Sequence, residues 1–163
     1  MAARPLAVRL LEQRKIAHQV YAFDATIRVA DEVALHTGVD PALVYKTLVV
    51  EQDPPKGKPY VVMMPATCEI DLKRFASSIG VKKLRMASHK DAERYTGLLV
   101  GGISALALLG RGFPVYIDAE ALQHQHILVS AGQRGMDVRL AVDDLVALTG
   151  AAPVRAARDA LEP

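Results

Sequence analysis

The chain has 163 residues, 51% of them hydrophobic and 23% charged, with a formal net charge of +2. That composition excludes a disordered chain, and so small a charge does not by itself announce a nucleic-acid binder. The apolar runs fall far short of the ~20 residues of a membrane span and the one cysteine, Cys68, fits a reducing compartment, so a cytoplasmic protein of one domain over residues 1–163 is expected.

The N-terminal MAARPLAVRLLEQRK has no leader-like apolar core, because Arg9, Glu12 and Arg14 interrupt it. Leu6, Leu10 and Leu11 instead mark one side of a helix from Pro5 to about Lys15. HQVYAF follows as a strand, and VADEVALHTG reads as a short helix stopped by Gly38. Asp40 then caps a turn at DPAL. VYKTLVV, residues 44–50, is a strand, PPKGKP a connector, and YVVMMP a second strand. Asp71 caps a helix over LKRFASSIG that stops at Gly80, KKLRMA is strand-like, and Ser88 opens another helix at SHKD. GLLVGGIS passes from an apolar, strand-like run into a glycine pair. PVYID and HILVSA are further strands, the latter joined through GQRG to MDVRLA as a hairpin. Asp143 opens a last helix, DDLVALTG, and the alanine-rich tail after Gly150 reads as helical or frayed. Hairpins mixed with helical crossovers make this an α+β fold.

The strand at residues 44–50 raises a question. Alternation puts Lys46 on one face with Val44, Leu48 and Val50, and an unpaired ammonium on an apolar face costs several kcal/mol. Either Lys46 sits on an edge strand and reaches water, or it meets a polar ligand. VGGIS, residues 100–104, is either a tight turn or a loop that lets a ligand approach backbone N–H groups. In VSAGQRGMD, Ser130, Gly132, Gly135 and Asp137 surround a turn that hairpin chemistry explains equally well.

Other chemistry is missing. There is no GxSxG, P-loop, GxGxxG or CxxC, and no nucleophile–base pair. His124 and His126, two apart on a strand, lack a third ligand, and Cys68 reads as a small core residue, so no metal and no cofactor is expected. The basic clusters LKRF, VKKLR and GQRG read first as a solvated face. The three notable segments together offer one cation, backbone donors and small polar groups. Such a set binds an anion or polarises a carbonyl but does not easily generate a nucleophile.

DPALVYKTLVV, IDLKRFASSIGVKKLRMA, YTGLLVGGISA and VSAGQRGMD occur in an order and spacing that resembles the YbaK/EbsC-type Cys-tRNA(Pro) deacylases, free-standing relatives of the editing domain inserted in bacterial prolyl-tRNA synthetases. The likeness runs from about Leu6 to Leu148. It implies a mixed, barrel-like sheet flanked by helices around a pocket for the aminoacylated 3′-adenosine of tRNA. It also implies Lys46 as the essential, catalytic residue, with Phe23, Thr47, Gly101, Gly102, Ile103, Ser104, Ser130, Gly132 and Asp137 binding substrate. The implied partners are aminoacylated tRNA(Pro) and prolyl-tRNA synthetase, with no membrane.

The chain departs from the family pattern at four positions. Phe23 stands where a tyrosine is usual, Ala105 where the glycine loop ends in proline, and Ala131 and Gln133 where glycine and lysine are usual. Deacylation of cysteinyl-tRNA leads, with Ala, Ser or Thr esters as alternatives. The other reading is a non-catalytic module that binds aminoacyl-tRNA ends or nucleotides.

Overall fold

In the computed structural model, which describes residues 4–27 and 29–158, two sheets face each other across the main core. The chain begins with α1 (Leu6–Gln13), β1 (His18–Ala22), α2 (Ala30–Thr37), a 3₁₀ turn (Pro41–Leu43), β2 (Tyr45–Gln52) and β3 (Tyr60–Pro65). β4 (Glu69–Ile70), α3 (Leu72–Ile79), β5 (Leu84–Met86) and α4 (His89–Thr96) follow. The chain then runs through β6 (Val115–Asp118), β7 (His126–Gln133), β8 (Met136–Ala141), α5 (Val142–Thr149), β9 (Ala152–Val154) and β10 (Ala157–Arg158).

The larger sheet has the order β5-β2-β3-β6-β9; its first three strands are antiparallel and its last three parallel. The smaller, β1-β8-β7, is antiparallel, and β4 pairs with β10. A parallel bridge from Val44 to Leu128 joins the two main sheets. The α+β class holds, and the strands form three sheets with no closed barrel among the described residues.

The alternation expected in β2 is the one observed. Tyr45 and Val49 pack with Val61, Met63, Val129 and Val138 between the sheets, while Leu48 and Val50 turn to the opposite face with Phe75 and Val62 beneath α3. Each fully buried aliphatic side chain of this kind contributes about 1.5–3 kcal/mol. Local chemistry sets the helix ends as expected. Asp71 accepts from Arg74 N and Ser88 from Asp91 N, and Gly38, Gly80 and Gly150 close their helices in the left-handed conformation.

Two expectations fail. Leu98 to Val100 is a turn, not a strand: Leu98 and Val100 pack on the core while Leu99 stays exposed, so no sheet face forms. The tail after Gly150 is extended, because β9 adds to β6 in parallel and the buried Asp118 carboxylate accepts from Ala156 N and Ala157 N.

Candidate functional site

Lys46 lies where the apolar layer of its face runs out. Two residues further along β2, Leu48 is already packed, but Lys46 opposes Met64 near the end of the β2–β3 ladder. Its Nζ donates at 2.6 Å to the carbonyl of Cys68, in the turn after β3. No carboxylate is within ion-pair distance among the described residues. Burial therefore pulls the ammonium pKa down, opposed only in part by the charges of Cys68 and Glu69. β2 pairs with β3 at Lys46 but with β5 only at Val50–Gln52, so this end of the strand has one ladder neighbour, and the half-buried ammonium is held by the Cys68 carbonyl.

Beside Lys46 is a cavity of about 170 Å³. β2 supplies one wall through Tyr45, Lys46 and Thr47, and β7 and β8 supply another through Ser130 and Asp137, which are cross-strand partners. Val100, Gly101 and Ile103 come from the glycine loop, and Phe23, Ile27 and Val33 from β1's exit and α2. The Oγ1 of Thr47 is buried with no hydrogen-bond partner among the described residues, an arrangement that costs about 1–3 kcal/mol if nothing fills it. Burial pushes the Asp137 carboxyl from the usual 3.8 up to about 6, with no compensating cation among the described residues. The Oγ of Ser130 accepts from Gly132 N at 3.2 Å.

The structure thus brings Phe23, Lys46, Thr47, Gly101, Ile103, Ser130 and Asp137 to one cavity. Three expected residues stand behind its wall instead. Ser104 is buried and accepts from Ala107 N at 3.3 Å, as a turn cap. Gly132 has φ +103° and packs on Ala107. Gly102 uses its N–H on the Leu99 carbonyl, and a Cβ there would stand 2.8 Å from Arg134 N. Gly102 is a close-packing glycine, not a ligand donor. Gly101, with φ +94°, is the one whose conformation faces the cavity.

Sequence reasoning missed the apolar lining from Ile27, Val33, Val44 and Ala66, whose pattern is that of ordinary core residues. It also misread two groups. Cys68 is a partly buried turn residue whose carbonyl receives Lys46, not a core side chain. His124 ends a 3₁₀ turn while His126 begins β7, so the two do not share a strand. No group of three metal-ligating side chains occurs among the described residues, and no helix among them is long and apolar enough to cross a membrane.

A partly desolvated cation, a carboxyl of raised pKa and an unpartnered hydroxyl converge here, and no histidine or cysteine side chain lines the cavity. The set can orient a small polar molecule and polarise a carbonyl. It holds no activated nucleophile.

A family model described as the aminoacyl-tRNA editing domain matches residues 24–148. A protein of Enterococcus faecalis that carries the name of a Cys-tRNA(Pro)/Cys-tRNA(Cys) deacylase, EbsC, is 37% identical over 145 residues, covering 88% of this chain and 87% of its own. A solved structure described as a trans-editing enzyme for prolyl-tRNA synthetase superposes with a TM-score of 0.80 at 24% identity, over 96% of this chain and 99% of that one. The hypothetical protein APE2540 gives 0.82 at 20% identity, over 94% and 99%. At those identities the two structures speak for the fold alone.

Proposed function

The chain belongs to the aminoacyl-tRNA editing domain family, and from that premise we propose that it is a free-standing deacylase that clears mischarged Cys-tRNA(Pro). In this reading residues 1–163 act as one editing domain and Lys46 is the catalytic residue. One observation carries it: a small cavity that gathers Lys46, Thr47 and Asp137 without a nucleophile.

An aminoacyl ester is already activated, so positioning supplies much of the acceleration. The Asp137 carboxylate suits the substrate's ammonium, which would give the carboxylate the counter-charge it lacks. Thr47 Oγ1 would find its missing partner in the bound aminoacyl group. Lys46 would leave the Cys68 carbonyl in whole or part to contact the ester or the terminal nucleotide. With about 170 Å³ available, room for roughly six waters at ~30 Å³ each, the cavity fits a small amino acid.

The nucleophile is then the substrate's own thiol. At a reference pKa of ~8.5, a few per cent is thiolate near neutral pH. Sulfur bonds to the carbonyl carbon, the ester C–O bond breaks, and the thiol proton passes to the departing ribose oxygen. Water opens the resulting thiolactone to free cysteine. A small net charge leaves tRNA selection to a partner, for which prolyl-tRNA synthetase is the proposed candidate.

A second reading rests on Asp137 as well. A carboxyl titrating near 6 is suited to act as a general base on water, which would extend the activity to Ala, Ser or Thr esters. The test is deacylation of Cys-, Ser-, Ala- and Thr-tRNA(Pro) on one tRNA body, with mass spectrometry of early products. Cysteinyl ester cleared far ahead of seryl ester, with thiolactone seen, supports thiol attack, because a pocket alone separates such near-isosteres by only ~1–3 kcal/mol. Equal rates without thiolactone mean activated water. No turnover of any ester means a binding module only.

A further inference from the structure

The stretch that carries Gly101 has neither helix nor strand to hold it, yet it forms a wall of the cavity. Its support comes from charged side chains on two different elements. Glu93 Oε2, on α4, accepts from Val100 N at 2.8 Å. Arg134 Nε, in the β7–β8 turn, donates to Val100 O at 2.8 Å. The residue immediately before Gly101 is therefore held at both of its backbone polar groups. Neither Glu93 nor Arg134 has an ion-pair partner among the described residues, and they do not pair with each other. Hydrogen bonds with one ionised partner are stronger and shorter than neutral ones, so two of them at one residue restrict it well.

The neighbouring contacts act in the same sense. Arg111 donates through Nη2 to Tyr95 O at 3.2 Å and through Nη1 to Thr96 O, fixing the end of α4 from which the loop departs. On the far side of Gly101, the missing side chain of Gly102 lets the loop lie against Gln133 and Arg134. The loop is docked on the hairpin turn from both directions, and Val100 is the point where charge does the docking.

We infer that Glu93 and Arg134 are positioning residues that clamp Val100 and thereby set where Gly101 stands against the bound ester. Neither side chain lines the cavity, so both act through the loop. The inference rests on the reading of this cavity as the deacylation site. A misplacement of about 1 Å at such a wall costs up to about 100-fold in rate while leaving ground-state binding largely intact.

The experiment compares Glu93→Ala, Glu93→Gln, Arg134→Ala and the double alanine variant with the parent chain and with Lys46→Ala. It measures kcat and KM for cysteinyl-tRNA(Pro) and hydrogen exchange at the Val100 amide. Each single alanine variant should lose roughly 10- to 100-fold in kcat with KM changed by less than about threefold. Glu93→Gln, which keeps an acceptor oxygen, should recover most of the lost rate. Because both groups hold one residue, the double variant should lose little more than the worse single variant. The Val100 amide should exchange faster in Glu93→Ala and near the parent rate in Glu93→Gln. Alanine variants with parental kcat beside an inactive Lys46→Ala would overturn the clamp and leave the site reading intact. An active Lys46→Ala would instead overturn the site reading, and unchanged Val100 exchange in Glu93→Ala overturns the clamp in any case.

Discussion

Replacing Asp137 by asparagine tests the electrostatics of the cavity without changing its shape. Burial alone moves this carboxyl from 3.8 up to about 6, with no cation beside it among the described residues to repay the desolvation. Between those pH values the folded protein keeps a proton that the unfolded chain has already released. The contribution of Asp137 to stability therefore falls as pH rises through that window and is lowest above pH 6. At about 1.4 kcal/mol per tenfold, the full cost of ionising Asp137 in the folded state is about 3 kcal/mol. Asp137→Asn escapes that cost but leaves amide donors in the same pocket, a loss of order 1 kcal/mol. The variant should thus be more stable than the parent by about 1–3 kcal/mol at pH 7.5. It should lose that advantage as pH falls toward 4, where both side chains are neutral. Urea unfolding at several pH values, with the slope checked for constancy, measures this directly. Deacylation by the variant should fall sharply above pH 6, where the parent carboxylate is ionised and supplies the ammonium's counter-charge, and the gap should narrow as pH falls below 6. A destabilised variant at pH 7.5, or a difference that does not vary with pH, would refute the claim that Asp137 is an uncompensated carboxyl.

Lys46→Ala should abolish deacylation while the fold keeps or gains stability, since the ammonium is desolvated and meets only a carbonyl. Lys46→Arg should fail too, because a planar fork does not replace a compact ammonium at the Cys68 carbonyl; near-parental rates in either variant would remove Lys46 from the chemistry. Gly102→Val should lower the melting temperature, because its side chain would run into the backbone of Gln133 and Arg134, whereas Gly101→Val should impair turnover through strain at φ +94° beside the cavity. Identical melting curves for Gly102→Val and the parent would count against that division. Dialysis against a strong chelator should leave the rate unchanged, and a loss restored by zinc would show that a metal takes part.

The parts of the fold legible in the sequence were those governed by local chemistry. Asp71 and Ser88 cap helices with their own side chains, Gly38 and Gly80 end them in a conformation other residues avoid, and β2 alternates across two cores. The illegible parts have no local cause. β4 and β10 are two residues each, too short for any period, and form because Asp118 and Asp71 N hold the Ala156 region in place. The apolar run at Leu98 to Val100 satisfied a strand pattern, yet its backbone partners are the Thr96 hydroxyl at Leu98, Gly102 N at Leu99 and the side chains of Glu93 and Arg134 at Val100, not a neighbouring strand. A pattern of side chains cannot tell which groups will receive the backbone.

The same limit decides what could be read of the site. Lys46 was visible because a charge on an aliphatic face violates its own surroundings, and the structure shows what such a violation requires: an end to the apolar layer and a carbonyl to meet it. That carbonyl belongs to Cys68, and any residue type would provide it, so no sequence signal could point there. Gly101 and Gly102 were adjacent and indistinguishable, yet they are glycines for different reasons. One needs a positive φ beside the cavity; the other has no room for a Cβ against the hairpin turn. The distinction matters for the chemistry, because only Gly101 can face a ligand while Gly102 anchors the loop that presents it. A glycine pair is thus a wall and its fastening, and both must be glycine for the cavity to keep its shape when substrate arrives.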